Sequence, residues 1–434
     1  MSVDKTRAVG EVHDATEREA DIRYWTKVCR PPIESLLRAA GSYSEADINV
    51  QLQTLSELII PLLGPRPCRA PAPSAMTHTG CPLQPSINLT SKINRVRYGI
   101  EVLGDTGGKS RGDPLAVQIA KDTVAKLSAR FGYSTKWSDV LFSAFGPTPE
   151  EARQVLDMVP EYYRNTVPEA VVAPPPEMLI FGMMAFDLKG PEISAKLYVN
   201  LKPKEILTGV SVGDLLWDTL RRMTPAFKPE AIDMMEKFFD DNSDPLPLHI
   251  VAVDCVDEAH LSEARVKIYY HSMSNSFRTV QRHITLGGKV QDEERLKGLE
   301  MLRSIWHLFV QRPEGIPDDD FETARKDSSI LPHKLYFCLE LRPGDDVPIV
   351  KAHLPVWNYI GSDEEAIRNY EANFRMVQHP WGEAGTYGKV FRDAFGPPTH
   401  DGEKTIHGYS SFVYTEETGV YQTSYYSPLL AEED

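Results

Sequence analysis

The sequence predicts an α+β chain folded as a closed antiparallel barrel of ten strands ringed by helices. Three observations carry this. Five times, two strand-like runs follow one another across a short polar turn. Between these pairs lie long segments with helical periodicity. The second run of each pair also alternates polar with apolar residues, giving a strand with one face of each kind. Parallel βαβ units would leave single strands between helices rather than pairs.

Two amphipathic stretches come first, at about 18–40 and 44–63, the second stopped by Gly64 and Pro65. A proline-rich loop, 66–82, leads into the first pair, 85–90 with 95–103. Helical segments 113–131 and 149–164 precede the pair 178–188 with 192–201. Segments 210–223 and 229–239 precede 249–254 with 264–272. Segment 292–310 precedes 334–341 with 348–356, and segments 363–377 and 387–395 precede 405–414 with 420–427. One polar residue from each second run (Arg97, Lys196, Lys267, Lys351, Tyr425) marks a unit recurring every 71 to 99 residues. Such spacing is that of a structural repeat. Residues 1–20 are expected to form a flexible N-terminus and 21–430 one barrel domain.

Composition narrows the function. A chain of 434 residues, 41% apolar and 25% charged, can bury a large core. A formal charge of −15 without a basic run argues against a nucleic-acid partner. Residues 1–21 hold no apolar run of the signal-peptide kind, and the longest apolar run, 178–186, is too short for a bilayer. No membrane partner is therefore expected. Five scattered cysteines (Cys29, Cys68, Cys81, Cys255, Cys338) form no CxxC and read as reduced thiols of a cytoplasmic protein without a metal site.

The chemistry lies on the second strands. In Arg265-Val-Lys267-Ile-Tyr269 the polar residues share one face. The pattern returns in Lys196-Leu-Tyr198, Arg95-Val-Arg97, Lys351-Ala-His353 and Tyr421-Gln-Thr423-Ser-Tyr425. If the apolar faces pack on helices, the lumen collects cations and tyrosines. Buried cations without partners are costly, and an anionic ligand would relieve that. Lysine and arginine can neutralise a diphosphate leaving group without a cofactor. Tyrosine faces can stabilise the allylic cation left behind.

These residues resemble the dimethylallyltryptophan synthase family of fungal indole and aromatic prenyltransferases, from about Arg23 to Pro428. The likeness is carried by RYWTKVCRPPIESLL, CPLQPSINL, VRYGIEVLG, FDLKGPEISAKLYVN, ARVKIYY, VKAHLP, GYSSFVY and YQTSYYSP. The resemblance implies the ααββ-repeat prenyltransferase barrel. It implies diphosphate binding by Arg97, Lys196, Arg265, Lys267 and Lys351, and a cation shield of Tyr198, Tyr269, Tyr409 and Tyr425. A tyrosine of the shield is replaced by His353, and a basic position of the last hairpin by Thr415. Tryptophan-prenylating members use a glutamate where this chain has Gln84 and a lysine base that aligns with Met183. Gln84 can still accept a hydrogen bond from an N–H, whereas Met183 cannot take a proton. His353 is the candidate proton acceptor in its place.

The resemblance thus implies transfer of a dimethylallyl group from dimethylallyl diphosphate to an indole-containing acceptor, an indole alkaloid or a tryptophan-derived cyclic dipeptide. Hydroxyarene acceptors, a geranyl diphosphate donor and a homodimer stay open. A non-catalytic barrel holding an anionic hydrophobe would keep the cations but need no tyrosine shield. Three further signals read as structural. Gly104–Ser110 misses the phosphate-loop spacing by one residue. Asp318-Asp319-Asp320 has no partner motif for Mg²⁺, and Asp113 of Arg111-Gly-Asp113 reads as a helix cap.

Overall fold

In a computed structural model, the described residues are 3–70, 72–90, 92–104, 112–166, 175–323, 334–400 and 404–432, with side chains from residue 15 onward. The ten strands are β1 (Leu83–Leu89), β2 (Arg95–Glu101), β3 (Gly182–Lys189), β4 (Glu192–Asn200), β5 (Leu248–Cys255), β6 (Val266–Ser272), β7 (Leu335–Leu341), β8 (Ile349–Pro355), β9 (His407–Thr415) and β10 (Gly419–Tyr426). Each pairs antiparallel with its sequence neighbours, and β1 pairs with β10 to close the cylinder. The expected five hairpins are all present. Pro85 is tolerated in β1 because pairing to β10 begins one residue later, at Ser86.

Alternation decides which face goes where. On β3, Met184, Phe186 and Leu188 pack outward with at most 1% exposure. Met183, Ala185 and Asp187 between them point to the lumen. Val96, Tyr98 and Ile100 do the same outward packing on β2. The outward faces form one continuous apolar core with the helices, which is the burial that holds a sheet to its cover.

The helices are α1 (Val3–Ala40), α2 (Glu45–Thr54), α3 (Val117–Phe131), α4 (Lys136–Phe145), α5 (Pro149–Thr166), α6 (Lys202–Thr208), α7 (Gly213–Arg221), α8 (Pro229–Asp240), α9 (Phe277–Ile284), α10 (Glu293–Val310), α11 (Asp363–Met376) and α12 (Thr386–Phe395). Short side chains start several of them. Ser44 caps α2 in a reciprocal box with Asp47, and Ser276, Asp292 and Ser362 cap α9, α10 and α11. Sequence periodicity misses α4, α6 and α9, which are ten residues or fewer. Helix α1 also begins well ahead of residue 18.

All five hairpin turns lie at one end of the barrel and the helical connections at the other. At the helical end, the loop before β1 folds over the rim. Its Thr79 hydroxyl donates to the Pro428 carbonyl at 2.8 Å. His78 stacks on Trp357 at 5.0 Å between ring centres and donates to the Thr405 carbonyl at 2.6 Å. The loop is thereby fastened to the chain on both sides of the last hairpin.

Candidate functional site

Strand register builds a charged ring inside the barrel, toward the hairpin-turn end. Arg97 faces Asp187, Lys196 faces Asp254, and Lys267 faces Glu340 across neighbouring strands. Asp187 holds Arg97 and also Lys196, the latter at 2.5 Å. Arg265, just before β6, grips Asp254 at 2.7 Å and lies 3.5 Å from Glu340. Glu340 takes Lys267 at 2.7 Å and Lys351 at 2.8 Å on the same oxygen. Asn88 accepts from Arg97 at 3.2 Å and from Thr423 at 2.6 Å, which ties the ring across the barrel closure.

All five expected cations therefore converge, but not as unpaired charges. The sequence reading left them without counter-charges, and the structure corrects this. Three carboxylates on the intervening first strands interleave with them, leaving a formal excess of two positive charges. Burial is deep: Lys196 is 2% exposed and Lys267 5%. Burial pulls the Lys196 ammonium down to about 7, because Asp187 is shared with Arg97, which does not give up its proton. Burial also acts on Asp187, but Arg97 and Lys196 outweigh it and hold the carboxyl well below the usual range. Glu340 is held down in the same way by Lys267 and Lys351.

One layer nearer the helical end, aromatic rings make an unbroken belt. Tyr198 meets Tyr269 at 5.8 Å, Tyr269 meets His353 at 5.8 Å, and His353 meets Tyr425 at 6.0 Å. Tyr425 then meets Tyr409 at 6.5 Å, and Tyr409 meets Tyr336 at 5.7 Å. The four expected tyrosines are all in it, and His353 fills the gap between two of them. Burial, with Lys351 behind it, pushes the His353 imidazole down to about 3, so the ring is neutral. Its Nε2 is buried without a hydrogen-bond partner.

Gly99 and Ala185 keep side chains small on the β2–β3 side of the lumen. Gly99 faces Gln84 on one side and Ala185 on the other. Gly99 has no left-handed backbone angle to require glycine. Its missing side chain instead leaves room for Met76, whose Cε lies 3.4 Å from where a Cβ would stand. Gln84 Nε2 donates to the Met76 carbonyl at 3.4 Å. The Ala75 N–H donates to the buried Glu101 carboxylate at 3.0 Å. Met183 sits across from both Glu101 and Tyr198.

A family model described as tryptophan dimethylallyltransferase matches residues 21–389. The chain belongs to that family. An indole diterpene prenyltransferase of Claviceps paspali is 54% identical over 434 residues, covering 100% of both chains. Another, of Epichloe festucae var. lolii, is 54% identical over 96% of this chain and 94% of its own. The crystal structure of AnaPT from Neosartorya fischeri superposes with a TM-score of 0.79 over 95% of each chain at 22% identity, which speaks for the fold. The protein is a prenyltransferase with the family's ααββ barrel.

Sequence reasoning about this prenyltransferase missed the three carboxylates and Tyr336, and it named the 66–82 loop without placing it over the rim. The acids stand singly among apolar neighbours on the first strands, where one polar residue reads as a solvated position. Their signal is register: each lies opposite a cation. Tyr421 was seen only as part of a pattern, yet its ring lies 5.1 Å under the Lys351 ammonium. Thr415 bonds Thr418 at 2.6 Å in the last turn.

The misleading motifs resolve simply. Residues 105–110 of the glycine-rich stretch lie outside the described residues, as does Arg111. The Asp113 carboxylate accepts the N–H groups of Val117, Gln118 and Ile119, as a cap of α3 would. Asp318, Asp319 and Asp320 pair with Arg312, Arg303 and Arg278 in turn. Among the described residues, no cluster of three His, Cys, Asp or Glu is placed to hold a metal ion. Among them, too, no helix is long and apolar enough to cross a membrane.

Proposed function

We propose that this prenyltransferase moves a dimethylallyl group from dimethylallyl diphosphate to the indole of a large polycyclic acceptor, an indole diterpene. The observation that carries the reading is the stacking of a cationic ring beneath an aromatic belt in one lumen. The acceptor class is supported by the relatives that share half their residues with this chain, which are indole diterpene prenyltransferases.

The geometry supports the following course. Arg97, Lys196, Arg265, Lys267 and Lys351 take the diphosphate. The bond from the allylic carbon to oxygen breaks, and diphosphate leaves with the electron pair. The ring faces of Tyr198, Tyr269, Tyr409 and Tyr425 stabilise the allylic cation and keep water out. An indole carbon attacks it, forming the new carbon–carbon bond, while the Gln84 amide oxygen accepts the indole N–H. The ring proton is then lost to His353. A base held at about 3 is weak, but the protonated arene is a far stronger acid, so transfer is downhill. A cytoplasmic location belongs to the same proposal and is supported by free cysteines, Cys29, Cys81, Cys255 and Cys338 being buried thiols.

The test is one assay. Purified protein, dimethylallyl diphosphate and excess EDTA are mixed with tryptophan, tryptophan-containing cyclic dipeptides, indole diterpenes and hydroxyarenes, and products are read by mass spectrometry. A gain of one C5 unit on the indole diterpene, above the other acceptors, is expected. A better yield on a hydroxyarene or on free tryptophan would overturn the acceptor. Product only when Mg²⁺ is restored would overturn the metal-free donor site.

A further inference from the structure

The donor end of the lumen holds more negative charge than the binding of an anion needs. Asp187, Asp254 and Glu340 each face a cation directly across the strand pairing. Their side chains are 13%, 12% and 6% exposed. Two of them serve more than one cation: Asp187 bridges Arg97 and Lys196, and Glu340 bridges Lys267 and Lys351.

Bare pairing for the sake of folding is one use for these acids. A second use follows from the reaction. The donor and the leaving inorganic diphosphate present the same anionic group, and the free product carries more charge than its ester. Contacts that tighten both equally do not speed the chemical step and delay release of the product. In a lumen largely shut off from water, five uncompensated cations would hold diphosphate very firmly.

Resting on the donor-site reading above, we propose that Asp187, Asp254 and Glu340 are positioning residues with a second effect. They aim the cations and, by repulsion, hold down the ring's affinity for diphosphate so that the product leaves. Each acid is a counterweight within reach of the incoming phosphates, tied to the cations that bind them.

Inorganic diphosphate is the probe. It is titrated by calorimetry at fixed ionic strength into the wild-type chain and into Glu340→Gln and Asp254→Asn, which keep the shape and one acceptor oxygen while removing the charge. Removing one nearby negative charge at such distances should tighten diphosphate binding about tenfold or more. The constant for product inhibition by diphosphate should fall by a like factor. In both variants a first-turnover burst of prenylated product should precede a slower steady rate, a signature that simple loosening of the fold does not give. Diphosphate binding that is unchanged or weaker in the variants overturns the proposal and leaves the acids as aiming groups alone. Loss of fold in both variants also overturns it, assigning the acids to folding. No binding of diphosphate to the wild-type chain removes the donor-site reading itself.

Discussion

Lys267 and Glu340 face each other across β6 and β7, with Nζ 2.7 Å from Oε1. The same oxygen takes Lys351 from the next strand at 2.8 Å. Removing one lysine therefore leaves the carboxylate partnered and the ring in place. Lys267→Ala, and likewise Lys196→Ala, should spare the fold and lose a charge-assisted contact to the donor. That loss is about 1.5–3 kcal/mol, or about 10- to 150-fold in kcat/KM for dimethylallyl diphosphate. Unchanged donor kinetics in both would place the diphosphate elsewhere.

His353 lies between Tyr269 and Tyr425 in the belt. His353→Phe keeps an aromatic face but removes the proposed proton acceptor. It should lower kcat about 10²-fold, the lower end for a general base, with donor KM little changed. Because burial holds the imidazole near 3, the wild-type rate should show no limb from it between about pH 5 and 9. Full turnover in the phenylalanine variant would end the histidine's role as base.

Gly99 makes room for Met76 beside Gln84. In Gly99→Val the added methyl groups must push the Met76 thioether into the lumen. Turnover of a polycyclic indole should fall about 10- to 200-fold, the range for misfit in an apolar pocket, while free tryptophan is affected less. Equal losses on both acceptors would show that the space is not where bulk is accommodated.

Asp363 at the start of α11 is fully buried and collects five donors. These are the backbone N–H groups of Thr399, Ile406 and His407, the Thr399 hydroxyl at 2.6 Å and His407 Nδ1 at 2.6 Å. His407 in turn accepts from Tyr387 at 2.8 Å. Asp363→Ala strands all of these and should destabilise the chain by about 3–5 kcal/mol in urea unfolding. A change within about 0.5 kcal/mol would mean that water replaces the carboxylate.

Burial pulls several histidines below their ordinary value: His78 and His249 to about 4, His283 and His353 to about 3. In each the unfolded chain binds the proton first, as pH falls through about 6.5. Stability is therefore full above that pH and drains away toward pH 3 to 4, the folded values just given. A thermal midpoint that drops steadily from pH 7 to pH 5 is expected. A flat profile would show that these rings are not buried neutral.

How much of this was legible beforehand depends on what each residue must do alone. Arg97, Lys196, Lys267 and Lys351 alternate with apolar neighbours on their own strands, so a single strand reveals their face. Tyr198, Tyr269 and Tyr425 follow two or four positions on in the same alternation. Asp187, Asp254 and Glu340 announce nothing by themselves, since their meaning comes from the strand opposite. Met76 meets Gly99 and Gln84, and Ala75 meets Glu101, through a loop with no period at all. His407 was placed by a register shift near the end of β10, which turns it toward α11 and α12 rather than the lumen. No local pattern encodes such a shift.

The hydrogen bond from Thr423 to Asn88 joins residues 335 positions apart, where the last strand meets the first. A cylinder sealed in this way cannot be assembled piecemeal from either side. Nearly all of the chain must leave the ribosome before β10 can find β1, and until then both strands present raw edges. Pairing between such distant segments is of the kind that folds slowly. A chain truncated before β10 leaves β1 and β9 unpaired at an open seam and encloses no lumen.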